Sequence, residues 1–323
     1  MDAIRSINDF LEDELKVFQK RLRQSVQSDV SLLDRIMRYM LKRKGKQVRP
    51  LLVMLSAKCL GEIGENSYNG AALVEILHTA TLVHDDVVDE SEKRRGFFSI
   101  NALWKTKVAV LVGDYLLSRG LLLALDNKDY RALHLLSEAV KAMSEGELLQ
   151  IKKSRTLDIT EEVYYKIIES KTASLLGAAT AIGAASATDD ESLIESFKKY
   201  GNAVGMAFQM RDDLFDYGVK NVGKPLGIDI KQKKMTLPLI HALSNSSSST
   251  KKRLMKIVRS DNPSQSELRE LSEVVKEAGG IDYTTKRMLE YRDEALNILN
   301  GIKDSEAKRL LTQLTNYIVE REK

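Results

Sequence analysis

Only four prolines interrupt the 323 residues of this chain: Pro50, Pro225, Pro238 and Pro263. Each stands where a helix would begin or a loop would run, and proline is tolerated in a first helical turn, so the long intervening stretches are free to be helical. Apolar residues recur in them at three- and four-residue spacing. This predicts helices over 4–26, 31–41, 50–60, 67–90, 107–125, 129–153, 160–187, 190–217 and 237–243, with several more from Lys251 onward. Start signals agree, since Asp158 and Thr160 precede Glu161 and Glu162, and Ser264 with Glu267 has capping-box spacing. The serine-rich run 244–250 reads as an exposed loop. No linker divides the pattern, so the expectation is an all-α chain forming one domain over residues 1–323.

Lys plus Arg total 50 against 46 for Asp plus Glu, a formal charge of +4 with the signs interleaved along helix faces, which argues against nucleic acid as a partner. The single cysteine, Cys59, falls in a mostly apolar run and reads as a core residue. Without a disulfide framework, a reducing cytoplasm fits. Asp2, Arg5, Asp9 and Glu12 make the first residues unlike a secretory signal. The longest apolar tracts are 108–125, broken by Asp114 and Arg119, and 173–187, too short for a bilayer; the chain is expected not to span a membrane.

Two copies of one pattern carry the chemistry: Asp85-Asp86-Val87-Val88-Asp89 and Asp212-Asp213-Leu214-Phe215-Asp216. Helix geometry puts residues four apart on one face, so Asp85 projects with Asp89 and Asp212 with Asp216. Carboxylate pairs approached through apolar sequence are costly to bury unless a cation meets them. Mg²⁺ suits them, because it takes oxygen ligands and completes its shell with water and substrate phosphates. Two facing pairs would hold a phosphate-bearing substrate between them.

Around these motifs the sequence resembles the trans-isoprenyl diphosphate synthase (polyprenyl synthetase) family, from about Gly45 to Pro238. The shared features are Gly45-Lys46-Gln47-Val48-Arg49-Pro50, His78, the first aspartate motif, Arg94-Arg95-Gly96, Lys171-Thr172, Phe208-Gln209, the second motif, Gly223-Lys224-Pro225 and Lys234-Met235-Thr236-Leu237-Pro238. The resemblance implies a helical bundle of the isoprenoid synthase type with a deep central cavity. It also implies a homodimer, for which 107–125 is a candidate interface. The activity implied is condensation of isopentenyl diphosphate with an allylic diphosphate. Asp85, Asp89 and Asp212 would hold Mg²⁺, two or three ions, on the allylic diphosphate. Arg94, Lys171 and Lys234 would add positive charge around it. Isopentenyl diphosphate would be gripped without metal by Lys46, Arg49, His78 and Arg95, arginine matching phosphate oxygens with paired hydrogen bonds. Thr172 and Gln209 would turn oxygen dipoles toward the transient allylic cation.

Read without the resemblance, His78 is a core histidine, Lys46 and Arg49 are solvated residues beside Pro50, and Arg94 and Arg95 belong to a charged surface loop. Departures from the family pattern are few: Lys44 replaces a glycine, Gln47 an arginine and Phe98 a proline. Lys233 also replaces a glycine, which leaves either Lys233 or Lys234 as the diphosphate contact. A class I terpene cyclase, a non-catalytic partner subunit and a structural cation site are rival readings. The second aspartate-rich motif, the complete set of motif aspartates and the basic residues weigh against each in turn.

Residues successive turns before Asp85 would wall the space for the growing chain: Ala80 and Thr81, then Leu77, then Val74 and Leu73. Ala80 and Thr81 are small where short-chain members carry aromatics. The helix from Leu73 to Asp85 rises about 18 Å, room for several isoprene units. A long product, hexaprenyl to nonaprenyl, is therefore expected over a farnesyl or geranylgeranyl one.

Overall fold

The structure is a computed structural model that describes residues 2–42, 45–94, 96–218 and 227–321. Helices dominate it, as the proline spacing predicts; the described residues add only a two-residue antiparallel ladder. The contacts divide the chain into two compact units.

The first unit comprises Met1–Ser137, Ala178–Phe197 and Lys303–Leu311. It contains α1 (Asp2–Phe10), α2 (Glu12–Ser25), α3 (Ser31–Leu41), α4 (Val48–Leu60), α5 (Glu65–Val88) and α6 (Ile100–Asp126). Pro50 stands in the first turn of α4, and every residue from Pro50 to Ala57 is buried, so α4 is an inner helix apolar on all sides. Gly183 permits its close contact: a Cβ there would lie 2.2 Å from the Val53 carbonyl oxygen. α5 packs along α6 in the same manner, with the His84 ring against Gly113 and Leu77 and Leu73 against Gly120. Cys59 is partly buried, and burial pushes its thiol up to about 12, consistent with a core role.

α6 is capped by Ser99, whose hydroxyl accepts from the Ala102 N–H, and is interrupted at Lys105 (φ 68°, ψ 162°). Among the described residues it is the one helix long and apolar enough to cross a membrane. Its buried face, Ala109, Val112, Gly113, Leu116, Gly120 and Ala124, is used in packing. The other side exposes Val110, Leu111, Leu121, Leu122 and Leu125 in one helical stripe.

The second unit comprises Glu138–Gly177, Lys198–Ile302 and Thr312–Lys323. It takes most of α7 (Tyr130–Thr156), all of α8 (Glu161–Ile168), the start of α9 (Ser174–Ala185) and the later part of α10 (Glu191–Phe215). Short α11 (Ile228–Lys231) follows, then α12 (Leu237–Asn245), α13 (Ser248–Arg259), α14 (Gln265–Glu277), α15 (Gly280–Asn300) and the end of α16 (Glu306–Glu320). One core runs through Ile168, Met210, Leu214, Leu239, Leu271 and Met288. The loop expected at 244–250 is a helix junction instead. α12 runs to Asn245 and α13 begins at Ser248, because Ser247 caps it by accepting the Thr250 N–H. The predicted helix 160–187 is also not uniform: between α8 and α9 lies a π-helical turn, Glu169–Ala173.

Candidate active site

α5 delivers the first motif. It ends in a Schellman arrangement, with the Ser91 N–H donating to the Asp86 carbonyl (3.0 Å) and Glu90 donating to Val87 (3.3 Å). Glu90 occupies the left-handed position (φ 49°) that this motif requires. Asp85, partly buried, and Asp89, exposed, fall on one face of the last turn, whereas Asp86, one residue on, is buried. This turn carries no basic side chain. Carboxylates therefore gather at the negative end of a helix dipole, an arrangement that a cation relieves.

The chain then forms a hairpin of β1 (Lys93–Arg94) and β2 (Phe97–Phe98), Arg94 opposite Phe97. Phe98, the departure from proline, is a strand residue whose carbonyl accepts from the Tyr39 hydroxyl at 2.9 Å. Arg95 and the Gly223-Lys224-Pro225 stretch lie outside the described residues. Lys46 is exposed ahead of α4, and Arg49 is half-buried in its first turn. His78 is buried and lines a cavity of about 290 Å³ together with Gly45, Gln47, Glu75, Thr79 and Asp86. That cavity follows one face of α5; Ala80, Thr81 and Leu77 are not among its lining residues. Ala80 and Leu77 are buried, Leu77 against α6, and the Thr81 hydroxyl donates to the His78 carbonyl at 2.8 Å.

The second unit gathers four of the predicted residues. Lys171, Thr172, Gln209 and Lys234 line one cavity of about 140 Å³ with Gln150, Tyr164, Asp213 and Asp229. Local geometry accounts for the convergence. The π turn swells the backbone at Lys171 and Thr172, a feature frequent at functional positions. Gly205 lets α10 press on that turn, since a Cβ there would sit 2.4 Å from the Ala173 Cα. Gln209, one turn on, thereby meets Thr172.

A directed chain of hydrogen bonds results. The Thr172 hydroxyl donates to Gln209 Oε1 (2.8 Å), Gln209 Nε2 donates to Asp213 Oδ1 (2.9 Å), and the Tyr164 hydroxyl donates to Asp213 Oδ2 (2.7 Å). The Gln209 oxygen accepts the Thr172 proton with one lone pair, and the Thr172 oxygen keeps its own lone pairs. Lys171 pairs with Glu147 and donates to Gln150 Oε1 at 3.3 Å. Lys234 donates to Gln232 (2.7 Å) at the cavity, whereas Lys233, at φ 56°, turns away to pair with Asp261 (2.6 Å). Of the two lysines, Lys234 lines this cavity.

The three aspartates of the second motif have separate duties. Asp213 is buried, and burial, with Asp229 and Asp212 nearby, pushes its carboxyl up to about 7. Asp216, expected to pair with Asp212, instead caps α11. Its carboxylate accepts the N–H groups of Ile228 (2.8 Å) and Asp229 (3.2 Å), while burial and Asp229 hold its carboxyl up at about 6. The reason is local: the first N–H groups of α11 need acceptors. Asp212 is half-exposed and ion-paired with Arg321. This motif too closes a helix whose last turn carries no basic residue.

A sequence profile described as Polyprenyl synthetase matches residues 30–275. The chain belongs to the polyprenyl synthetase family. Octaprenyl diphosphate synthase of Escherichia coli is 33% identical over 324 residues, 99% of each chain. A decaprenyl diphosphate synthase from Rhodobacter capsulatus superposes with a TM-score of 0.93 at 32% identity over 99% of both chains. A polyprenyl synthase from Caulobacter crescentus, solved with calcium and isoprenyl diphosphate, gives 0.91 at 32% identity, covering 99% of this chain and 98% of that one. The all-α fold is that of the polyprenyl synthases.

In this polyprenyl synthetase, sequence reasoning passed over Glu147, Gln150, Tyr164, Asp213, Asp229 and Arg321. Asp213 carried a signal, as the middle acid of a motif on an apolar helix. Tyr164 and Arg321, 49 and 109 residues from their aspartate partners, carried none.

Proposed function

We propose that this chain is a single-domain, Mg²⁺-dependent trans-polyprenyl diphosphate synthase that extends an allylic diphosphate with isopentenyl diphosphate. The observation that carries the reading is the cavity joining Lys171, Thr172, Gln209 and Lys234 to the acids Asp213 and Asp229, in a chain of the polyprenyl synthetase family. The donor set fits the metal. Aspartate oxygens are hard ligands, and both motifs sit at the negative ends of helices whose last turns carry no basic residue. Such sites suit an ion that takes one or two carboxylates and completes its shell with phosphate oxygens. The calcium and isoprenyl diphosphate in the Caulobacter crescentus protein support a divalent cation.

Asp85, Asp89 and Asp212 would hold the ions, which when bound polarise the leaving diphosphate and neutralise its charge. Lys171, Lys234 and Arg94 hold the same diphosphate. The Thr172 oxygen, its proton committed to Gln209, faces developing positive charge. Lys46, Arg49, His78 and Arg95 bind isopentenyl diphosphate without metal, so that it keeps its leaving group. The chain acts as a homodimer in a reducing cytoplasmic compartment and makes a product of hexaprenyl to nonaprenyl length.

The test is incubation of the purified protein with Mg²⁺, isopentenyl diphosphate and a farnesyl primer, with chromatography of the dephosphorylated products. Long linear polyprenols are expected, and Asp85→Ala or Asp212→Ala should lower turnover by at least about 10²-fold with helical content unchanged. Failure of the wild type to elongate the primer, or near-normal Mg²⁺-dependent turnover in either variant, refutes the assignment.

A further inference from the structure

Arg321 follows α16 immediately and lies 109 residues from the second aspartate motif, yet its side chain closes on that motif. Its guanidinium pairs with Asp212 Oδ1, donates to the Phe208 carbonyl (3.3 Å), stacks 3.9 Å from the Phe208 ring centroid and lies 5.7 Å from that of Phe215. The tie is reciprocal: Arg211, itself buried, donates through Nε (3.1 Å) and a terminal nitrogen (2.8 Å) to the Arg321 carbonyl.

We propose that Arg321 is a positioning residue for the metal-holding carboxylate of Asp212, so that a side chain just past the end of α16 helps to build the metal site. The inference rests on the metal assignment made above.

Two roles are physically open to a cation beside a metal-holding aspartate: it can compete for the carboxylate, or it can orient it. Competition requires a side chain free to withdraw. Arg321 is not: its side chain is 12% exposed and is held on α10 by a ring face and a backbone carbonyl, contacts independent of the carboxylate. A carboxylate has about four lone-pair positions, so a guanidinium on one oxygen does not by itself exclude a metal ion. Fixing one oxygen also removes the rotational freedom that coordination would otherwise have to quench. Partners of this kind typically change metal affinity by about 10–100-fold when removed.

Mn²⁺ binding in the presence of methylenediphosphonate, followed by electron paramagnetic resonance on the full chain, reads this directly without turnover. Arg321→Ala should weaken Mn²⁺ binding by about 10-fold, with helical content retained. Arg321→Lys, which keeps the charge but not the planar fork, should fall between it and wild type. If Arg321→Ala does not fold, Arg321→Gln takes its place with the same expectation. Binding as tight as wild type, or tighter, in the neutral variant overturns the proposal. A wild type that binds no Mn²⁺ with the diphosphonate fails the metal assignment itself, a distinguishable result.

Discussion

Single residues in this chain show what a site asks of the backbone around it. Glu90 takes a left-handed conformation so that α5 can stop at Asp89, and Lys233 takes another just before Lys234 enters the cavity. Lys105 is different in kind. Its φ of 68° and ψ of 162° fall in a region populated almost only by glycine, at a cost of about 1–3 kcal/mol. Lys105→Gly should therefore stabilise the protein by about 1 kcal/mol, which for a chain of this length raises the melting temperature by about 1–2 °C. A fall in melting temperature would mean that Lys105 makes compensating contacts. The aspartates teach a related lesson. Six similar residues divide into partly or fully exposed acids, buried acids and a helix cap, and that division follows from where each Cβ points rather than from the side chain.

Among the helices, α5 carries both the acids of the first aspartate motif and the residues expected to set product length. Ala80 is fully buried, and Leu77 with Leu73 packs on Gly120 of α6. Ala80→Tyr should shift products from long chains to fifteen or twenty carbons, read by chromatography of the polyprenols alongside circular dichroism. An unchanged long product in a folded variant would place the chain-length wall elsewhere. The α8–α9 segment makes a second point. Periodicity through 160–187 is that of one helix, and the π turn inside it places Lys171 and Thr172 on the cavity without leaving a mark in the apolar pattern.

At the scale of the whole molecule, the exposed stripe of α6 is the surface that most needs a partner. Leu111 is 59% exposed, and Leu121, Leu122 and Leu125 are each more than 40% exposed, on a helix whose opposite face is packed. Exposed leucines grouped on one side of a helix, with Asp114 and Ser118 interspersed, make this side the candidate contact surface for the expected dimer. Leu111→Glu combined with Leu122→Glu should turn a dimer into a monomer in sedimentation at micromolar concentration. A wild type that sediments as a monomer would contradict the dimer.

The sequence by itself determined the helical class, most helix positions to within a few residues, and the family. These follow from local rules: spacing, caps, proline placement and motif order. Tertiary structure alone decided that Asp216 caps α11, that Lys234 rather than Lys233 reaches the cavity, that the Gln209 oxygen accepts from Thr172 and that Arg321 closes on Asp212. Each of those outcomes depends on a partner distant in sequence or on a backbone turn that breaks the helical period. A hydrogen bond or ion pair across a hundred residues is fixed by how helices pack, and packing leaves no periodic trace in the residues that it joins.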